Sequence, residues 1–214
     1  MNTKNVTVAQ GDRIRQMANQ KGLNRNVFQD NFIDGGLCAI ALDAAKSGSR
    51  LKLIPPINVP NNWGGRIHVV EVEVDESRLW SDAVMAAGPN TPSYYNVHKV
   101  ADHYPPTGKG RHKVKMVLVS LEGGGDFAKA VAWAEQYDLK RTTPRQVFAI
   151  GKNFPKLHQE LGMDPMYVVA SKECTFEGDQ RVCDVWWFGS GRKACLPWVG
   201  NVGDSFGWVA FLCD

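Results

Sequence analysis

No apolar run in the 214 residues approaches the ~18 consecutive residues that a membrane-spanning helix needs. The first residues, Met1-Asn2-Thr3-Lys4-Asn5, carry no apolar segment of the signal-peptide kind. The expectation is therefore a cytoplasmic protein with no membrane partner. The five cysteines, Cys38, Cys174, Cys183, Cys195 and Cys213, contain no Cys-x-x-Cys pair. None stands at ligand spacing from His68, His98, His103, His112 or His158, which argues against a structural zinc site. Neither a Gly-x-Gly-x-x-Gly nor a Gly-Lys-Ser/Thr phosphate loop is present, and no internal repeat or low-complexity tract interrupts the chain. Glutamate is missing before Glu71. Residues 1–52 hold eight basic and four acidic side chains, a local charge of +4 within a total of only +3. That excess could meet phosphate or acidic groups, but a solvated helix face explains it equally, and the mild total argues against nucleic acid as a partner.

What is present is ordinary globular material, 43% hydrophobic and 22% charged, enough for one main domain. Residues 1–58 read as a helical N-terminal segment, with Val27, Phe28, Phe32, Leu37, Ile40 and Ala44 near helical spacing, Gly35-Gly36 as a break, and Pro55, Pro56 and Pro60 closing it. Residues 59–214 read as an α+β domain. Val70, Val72 and Val74 alternate with Glu71 and Glu73, the period of a strand over Ile67–Val74 with one wet face. A helix with Leu79, Trp80, Ala83, Val84 and Ala87 on one stripe follows, capped by Asp75 or Ser77 and stopped by Gly88-Pro89. Val114 to Leu121 is a second strand, Gly123-Gly124-Gly125 a turn, and Asp126 a cap for a helix from Phe127 to Tyr137. Thr143-Pro144 opens another helix with Val147, Phe148 and Ile150 facing inward. Short strands over 166–171, 182–188, 193–199 and 207–213 complete an order without regular βαβ alternation.

Candidate chemistry is sparse. Cys38, between Gly35-Gly36-Leu37 and Ala39-Ile40-Ala41-Leu42, could be a helix-terminal nucleophile, but its apolar surroundings match a packed thiol. His98 and His103, beside Asp102 and Tyr104, form the polar cluster with general-base potential. These two features define the alternative reading, a cysteine- or histidine-dependent enzyme. Lys109, Arg111, His112 and Lys113 near Tyr104 could hold single-stranded nucleic acid by charge and stacking, although one aromatic is thin support. The cysteines of the last 41 residues read as buried thiols, with pairing between neighbouring strands as the alternative.

The C-terminus is the anomaly. Val182–Asp214 packs seven aromatics, Trp186, Trp187, Phe188, Trp198, Phe206, Trp208 and Phe211, and five glycines into 33 residues with five charged groups. Strand alternation sends Trp186 and Trp187 to opposite faces, so one of them needs a second buried layer or remains available to a ligand. Aromatics on rigidly supported loops beside Ser, Asn and Gly suit a recognition surface.

The run Thr143-Pro144-Arg145-Gln146-Val147-Phe148-Ala149-Ile150-Gly151, then Tyr167-Val168-Val169-Ala170, Val185-Trp186-Trp187-Phe188-Gly189-Ser190-Gly191-Arg192, Leu196-Pro197-Trp198-Val199 and Trp208-Val209-Ala210-Phe211-Leu212 resembles the C-terminal half of a C-type-lectin-like domain. It is most similar to the variable proteins of diversity-generating retroelements and to related proteins of candidate-phylum bacteria, which share the fold of formylglycine-generating enzymes. The likeness covers about residues 113–214, and residues 1–60 lie outside it. It implies a scaffold of Val185, Trp186, Arg192, Leu196, Trp198 and Phe211. It also implies an exposed face drawn from Cys183, Asp184, Trp187, Phe188, Ser190, Cys195, Pro197, Asn201, Asp204, Ser205, Phe206 and Trp208, which binds a protein or small ligand and which adenine mutagenesis diversifies. Trp187 and Trp208 depart from that pattern, because tryptophan is not reached from an AAC codon by changes at adenine. The cysteine pair or His/Glu metal set of the enzymatic relatives is absent, as is the Glu-Pro-Asn or Gln-Pro-Asp tripeptide of calcium lectins. The resemblance therefore implies a non-enzymatic binder with no catalytic residue, metal or cofactor.

Overall fold

A computed structural model describes residues 66–107, 109–203 and 205–213. The expected helical segment 1–58, Cys38 within it, the boundary at residue 58 and Asp204 lie outside the described residues.

The alternating valines do form a strand, β1 (Ile67–Asp75), whose Val70, Val72 and Val74 are buried while Glu71 and Glu73 face water. It pairs antiparallel with β2 (Arg111–Ser120), in a register that sets Glu71 against Lys115 and Glu73 against Lys113. The helix between them, α1 (Trp80–Ala87), has Leu79 at its N-cap and no side-chain cap. The expected cap, Asp75, instead accepts from the Ser77 backbone N–H and hydroxyl and closes the preceding turn.

The second helix, α2 (Phe127–Gln136), is capped as the sequence predicts, with the Asp126 carboxylate accepting from Lys129 N–H at 2.7 Å. The short β3 (Lys140–Arg141) precedes α3 (Pro144–Asn153), where the Thr143 N–H donates to Gln146 Oε1 at 2.8 Å, the return half of a capping box, and Val147, Phe148 and Ile150 are buried. A single turn, α4 (Leu157–Glu160), leads to β4 (Met166–Ala170). Next come β5 (Cys174–Phe176) and β6 (Asp179–Arg181), a small separate hairpin between two of the expected strands. The strands β7 (Asp184–Phe188), β8 (Gly191–Cys195) and β9 (Gly207–Leu212) end the chain.

The main sheet runs β1-β2-β9-β4-β7-β8, with β3 also paired to β9. The last strand of the sequence is thus central, antiparallel to β2 and parallel to β4. The architecture is mixed α and β, with helices on both sides of one sheet. On one face Val72, Met116, Leu118, Val168, Val185, Trp187, Trp208 and Ala210 pack against Trp80, Ala83 and Val84 of α1 and Val147, Phe148 and Ile150 of α3. On the other, Val117, Val119, Tyr167, Val169, Val209 and Phe211 are covered by Phe127, Val131 and Ala134 of α2.

Glycine makes the first layer close. A Cβ on Gly151 of α3 would stand 2.7 Å from the Ala87 carbonyl oxygen and 2.9 Å from Val185 Cγ1, so α1 and α3 meet there at backbone distance with the Val185 side chain of β7 against the same point.

Candidate functional site

Trp186 and Trp187 point to opposite faces, but with their expected roles exchanged. Cross-strand register places Met166 opposite Trp187 and Tyr167 opposite Trp186. Trp187 therefore enters the helix-covered layer, wholly buried, and its indole N–H donates to the Phe154 carbonyl at 3.2 Å. Trp208, also read as exposed from sequence, is buried in the same layer with its indole N–H against Met163 Sδ at 3.1 Å. Both are core residues, because their strand parity points them at α1, α3 and the loop before β4. Cys183 is buried as well. Trp186, expected in the scaffold, is half-buried on the second face and packs on Tyr167 at 5.4 Å between ring centroids. Trp198, likewise expected in the scaffold, is 49% exposed and lies over the Arg181 guanidinium at 4.9 Å.

This second face runs past the cover that α2 supplies. On β7 it carries Asp184, Trp186 and Phe188, opposite Cys195, Lys193 and Gly191 of β8. Gly191 leaves room for the Phe188 ring, which a Cβ there would meet at 2.9 Å. The segment after α1 wraps the outer edge of β8 through hydrogen bonds. Asn90 N–H donates to Arg192 O at 3.1 Å, Arg192 N–H to Asn90 Oδ1 at 3.1 Å, and Ala194 N–H to Thr91 Oγ1 at 2.8 Å. That wrapping satisfies an otherwise open strand edge and delivers Tyr94 and Tyr95 to the rim of the face, their rings edge-on at 5.3 Å.

The result is a cleft of about 390 Å³ lined by Tyr94, Tyr95, Asn96, Asp184, Trp186, Lys193, Cys195, Leu196 and Pro197. The Lys193 ammonium stands 5.7 Å from the ring centres of Tyr95, Trp186 and Phe188 alike and 3.5 Å from the Tyr95 hydroxyl. Asp184 lies at the floor, 2% exposed, its carboxylate accepting from the backbone N–H and thiol of Cys195 while Oδ1 has no hydrogen-bond partner. Burial pushes the Asp184 carboxyl up to about 7, against the lowering effect of the Cys195 hydrogen bonds and the Lys193 charge. Burial likewise raises the Cys195 thiol, and the Asp184 charge raises it further. The fully buried Cys183 thiol is raised by burial and then by Cys174.

The remaining described sequence candidates for the exposed face, Pro197 apart, lie outside the cleft lining. Phe188 is 39% exposed at the end of β7, and Ser190 is exposed in the β7–β8 turn. Asn201, Ser205 and Phe206 are exposed on the loop between β8 and β9, outside the cleft lining. Tyr94, Tyr95, Asn96 and Lys193 were not singled out from sequence. The tyrosine pair lies nearly one hundred residues from β8, and the Pro89–Lys193 bridge with the Asn90 and Thr91 hydrogen bonds brings them together.

Other sequence candidates do not assemble into chemistry. His98 and His103 lie on consecutive 3-10 turns, where His98 Nε2 is buried without a partner and His103 is exposed. Arg111 and Lys113, read as a basic loop, belong to β2 and pair with Asp75 at 3.3 Å and Glu71 at 3.0 Å. Tyr104 is buried, stacked on Trp80 at 5.6 Å, and so offers no platform for a base. Cys174, Cys183, Cys195 and Cys213 are free thiols. Among the described residues no helix is long and apolar enough to cross a membrane. Compared with models of protein families, with curated proteins and with solved structures, the chain matches none.

Proposed function

We propose that the chain is a non-enzymatic binding module, a C-type-lectin-like α+β domain that takes a protein or small ligand on the uncovered second face of β7 and β8. The observation that carries this reading is the cleft itself. Large aromatic and aliphatic groups, Tyr94, Tyr95, Trp186, Leu196 and Pro197, converge there on one charged and one carboxyl side chain held by strand backbone. Such a concave, mostly apolar lining with a few placed polar groups is the general form of a ligand site. Phe188 and Ser190 carry exposed surface from the end of β7 into the β7–β8 turn, and Asn201, Ser205 and Phe206 are exposed on the β8–β9 loop. Those loop positions tolerate substitution better than the strands that hold the cleft, which suits a face diversified at its rim around a constant centre. The raised thiols of Cys183 and Cys195 favour binding over nucleophilic catalysis, since the thiolate is the reactive species.

Crystallographic fragment screening tests the site. Fragments clustering between Tyr95, Trp186 and Pro197 are the expected result, and a screen whose fragments avoid that cleft would overturn the assignment. Sequencing the codons for residues 182–214 across a source population tests the diversification. Changes confined to adenines at rim codons are expected, and an invariant 3′ end with no template copy nearby would remove it.

A further inference from the structure

Asp184 Oδ1 is an acceptor without a partner, buried at the floor of the cleft. Lys193 is a donor of three protons whose hydrogen bond to the Tyr95 hydroxyl is long at 3.5 Å. The two side chains leave the same face of adjacent strands at diagonal positions, since Asp184 opposes Cys195 and Trp186 opposes Lys193. Diagonal neighbours on a sheet are about 7–8 Å apart, a gap that one small group with a donor at one end and an acceptor at the other can bridge. A lone cation would be repelled by Lys193, and a lone anion by Asp184. Beside the pair stand the rings of Trp186 and Tyr95, which accept an apolar side chain.

Resting on the proposed binding reading, we infer that the cleft takes a free α-amino acid with an apolar or aromatic side chain, its ammonium on Asp184, its carboxylate on Lys193 and its side chain against Trp186 and Tyr95. The cleft's 390 Å³ accommodates a ligand of this size. The charged and titratable groups facing Asp184 are Lys193 and Cys195 on β8, Tyr167 on β4 and Tyr94 and Tyr95 on the wrapping loop, with Arg181 behind Leu196. Of these Lys193 is the near cation, so the carboxyl with its ordinary value displaced to about 7 is the group that titrates near neutrality. Ammonium binding then favours the ionised carboxylate, and affinity rises about tenfold from pH 6 to pH 8.

The test is calorimetric titration of the full chain with L-phenylalanine, 3-phenylpropionate, phenethylamine and p-cresol. L-phenylalanine is expected to bind at least tenfold more tightly than either truncated analogue. Asp184→Asn removes its advantage over 3-phenylpropionate and flattens the pH dependence, and Lys193→Met removes its advantage over phenethylamine. Circular dichroism checks each fold, and Lys193→Met carries the test alone if Asp184→Asn does not fold. An amino acid no tighter than its analogues overturns the inference. If p-cresol nevertheless binds and Trp186→Ala abolishes that binding, the face remains a binding site. No heat from any probe at millimolar concentration overturns the inference and the binding reading together.

Discussion

Replacing the adjacent tryptophans one at a time tests the register on which the site depends. Trp187 is wholly buried against α3 and donates to the Phe154 carbonyl, so Trp187→Ala opens a cavity and removes one of the two hydrogen bonds which that carbonyl accepts, the Leu157 N–H keeping the other. Core Trp→Ala changes cost about 3–5 kcal/mol. With a urea slope near the upper end of the usual range, about 2–3 kcal/mol per molar, the midpoint falls by roughly 1–2 M. Trp186 buries most of its surface but keeps one edge in water, with Tyr167 among its neighbours, so its truncation encloses no cavity. Roughly 150 Å² at about 25 cal/mol per Å², reduced for a compact unfolded chain, gives about 2–3 kcal/mol. Trp187→Ala should therefore be the more destabilised in urea melts followed by far-ultraviolet circular dichroism, while Trp186→Ala keeps its fold and loses ligand. Equal costs, or a cost below about 1.5 kcal/mol for Trp187→Ala, would refute the reasoning. A register slipped by one residue, which turns every β7 side chain to the other face, would produce that result.

Gly151→Ala should destabilise, by about 1–3 kcal/mol in the same melts, although alanine is the better helix former, because the added methyl meets the Ala87 carbonyl. A neutral or stabilising result would show that α1 and α3 are not in backbone contact. Asp184 has its folded-state value raised above that of an unfolded carboxyl, so between about pH 4 and pH 7 the unfolded chain binds fewer protons and stability falls as pH rises. The fall is about 1.4 kcal/mol per pH unit across that window. Asp184→Asn should lack this component, matching the wild type near pH 4 and exceeding it above pH 7 in chemical melts; parallel pH profiles would contradict it. Cys174, Cys183 and Cys213 should resist iodoacetamide at pH 7 until denaturant is added, as buried thiols do, with peptide mass mapping as the readout. Rapid native labelling at Cys183 would show that its layer is open.

The periodic elements were legible in the sequence because their signals are local. Alternating valines give β1, Thr143-Pro144 with Gln146 gives the box that starts α3, and Asp126 caps α2. The wrong assignments are those that depend on partners far along the chain. Alternation states that Trp186 and Trp187 part company, but which one meets the core is set by Met166 and Tyr167 on β4 and by the helices above them. Trp208 is buried for the same reason, since its strand lies at the centre of the sheet rather than at a rim. The cleft was only half visible. Asp184 and Phe188 fall within the aromatic C-terminal run, whereas Tyr94 and Tyr95 reach it through the Asn90 and Thr91 hydrogen bonds to β8, a non-local edge pairing with no signature in the intervening residues. Lys193 carries no sequence signal of its own, and its three surrounding rings are what mark it.

The seven tryptophans each give one indole N–H signal, so a proton–nitrogen correlation spectrum reports on both faces of the sheet at once. Titrating the labelled chain with L-phenylalanine and with p-cresol is the most direct test of the binding face. The Trp186 indole signal should shift progressively while those of Trp187 and Trp208 stay in place. Shifts at Trp187 or Trp208 with Trp186 unmoved, or no shift at any of the three with either probe, would contradict the assignment of the β7–β8 face as the binding site.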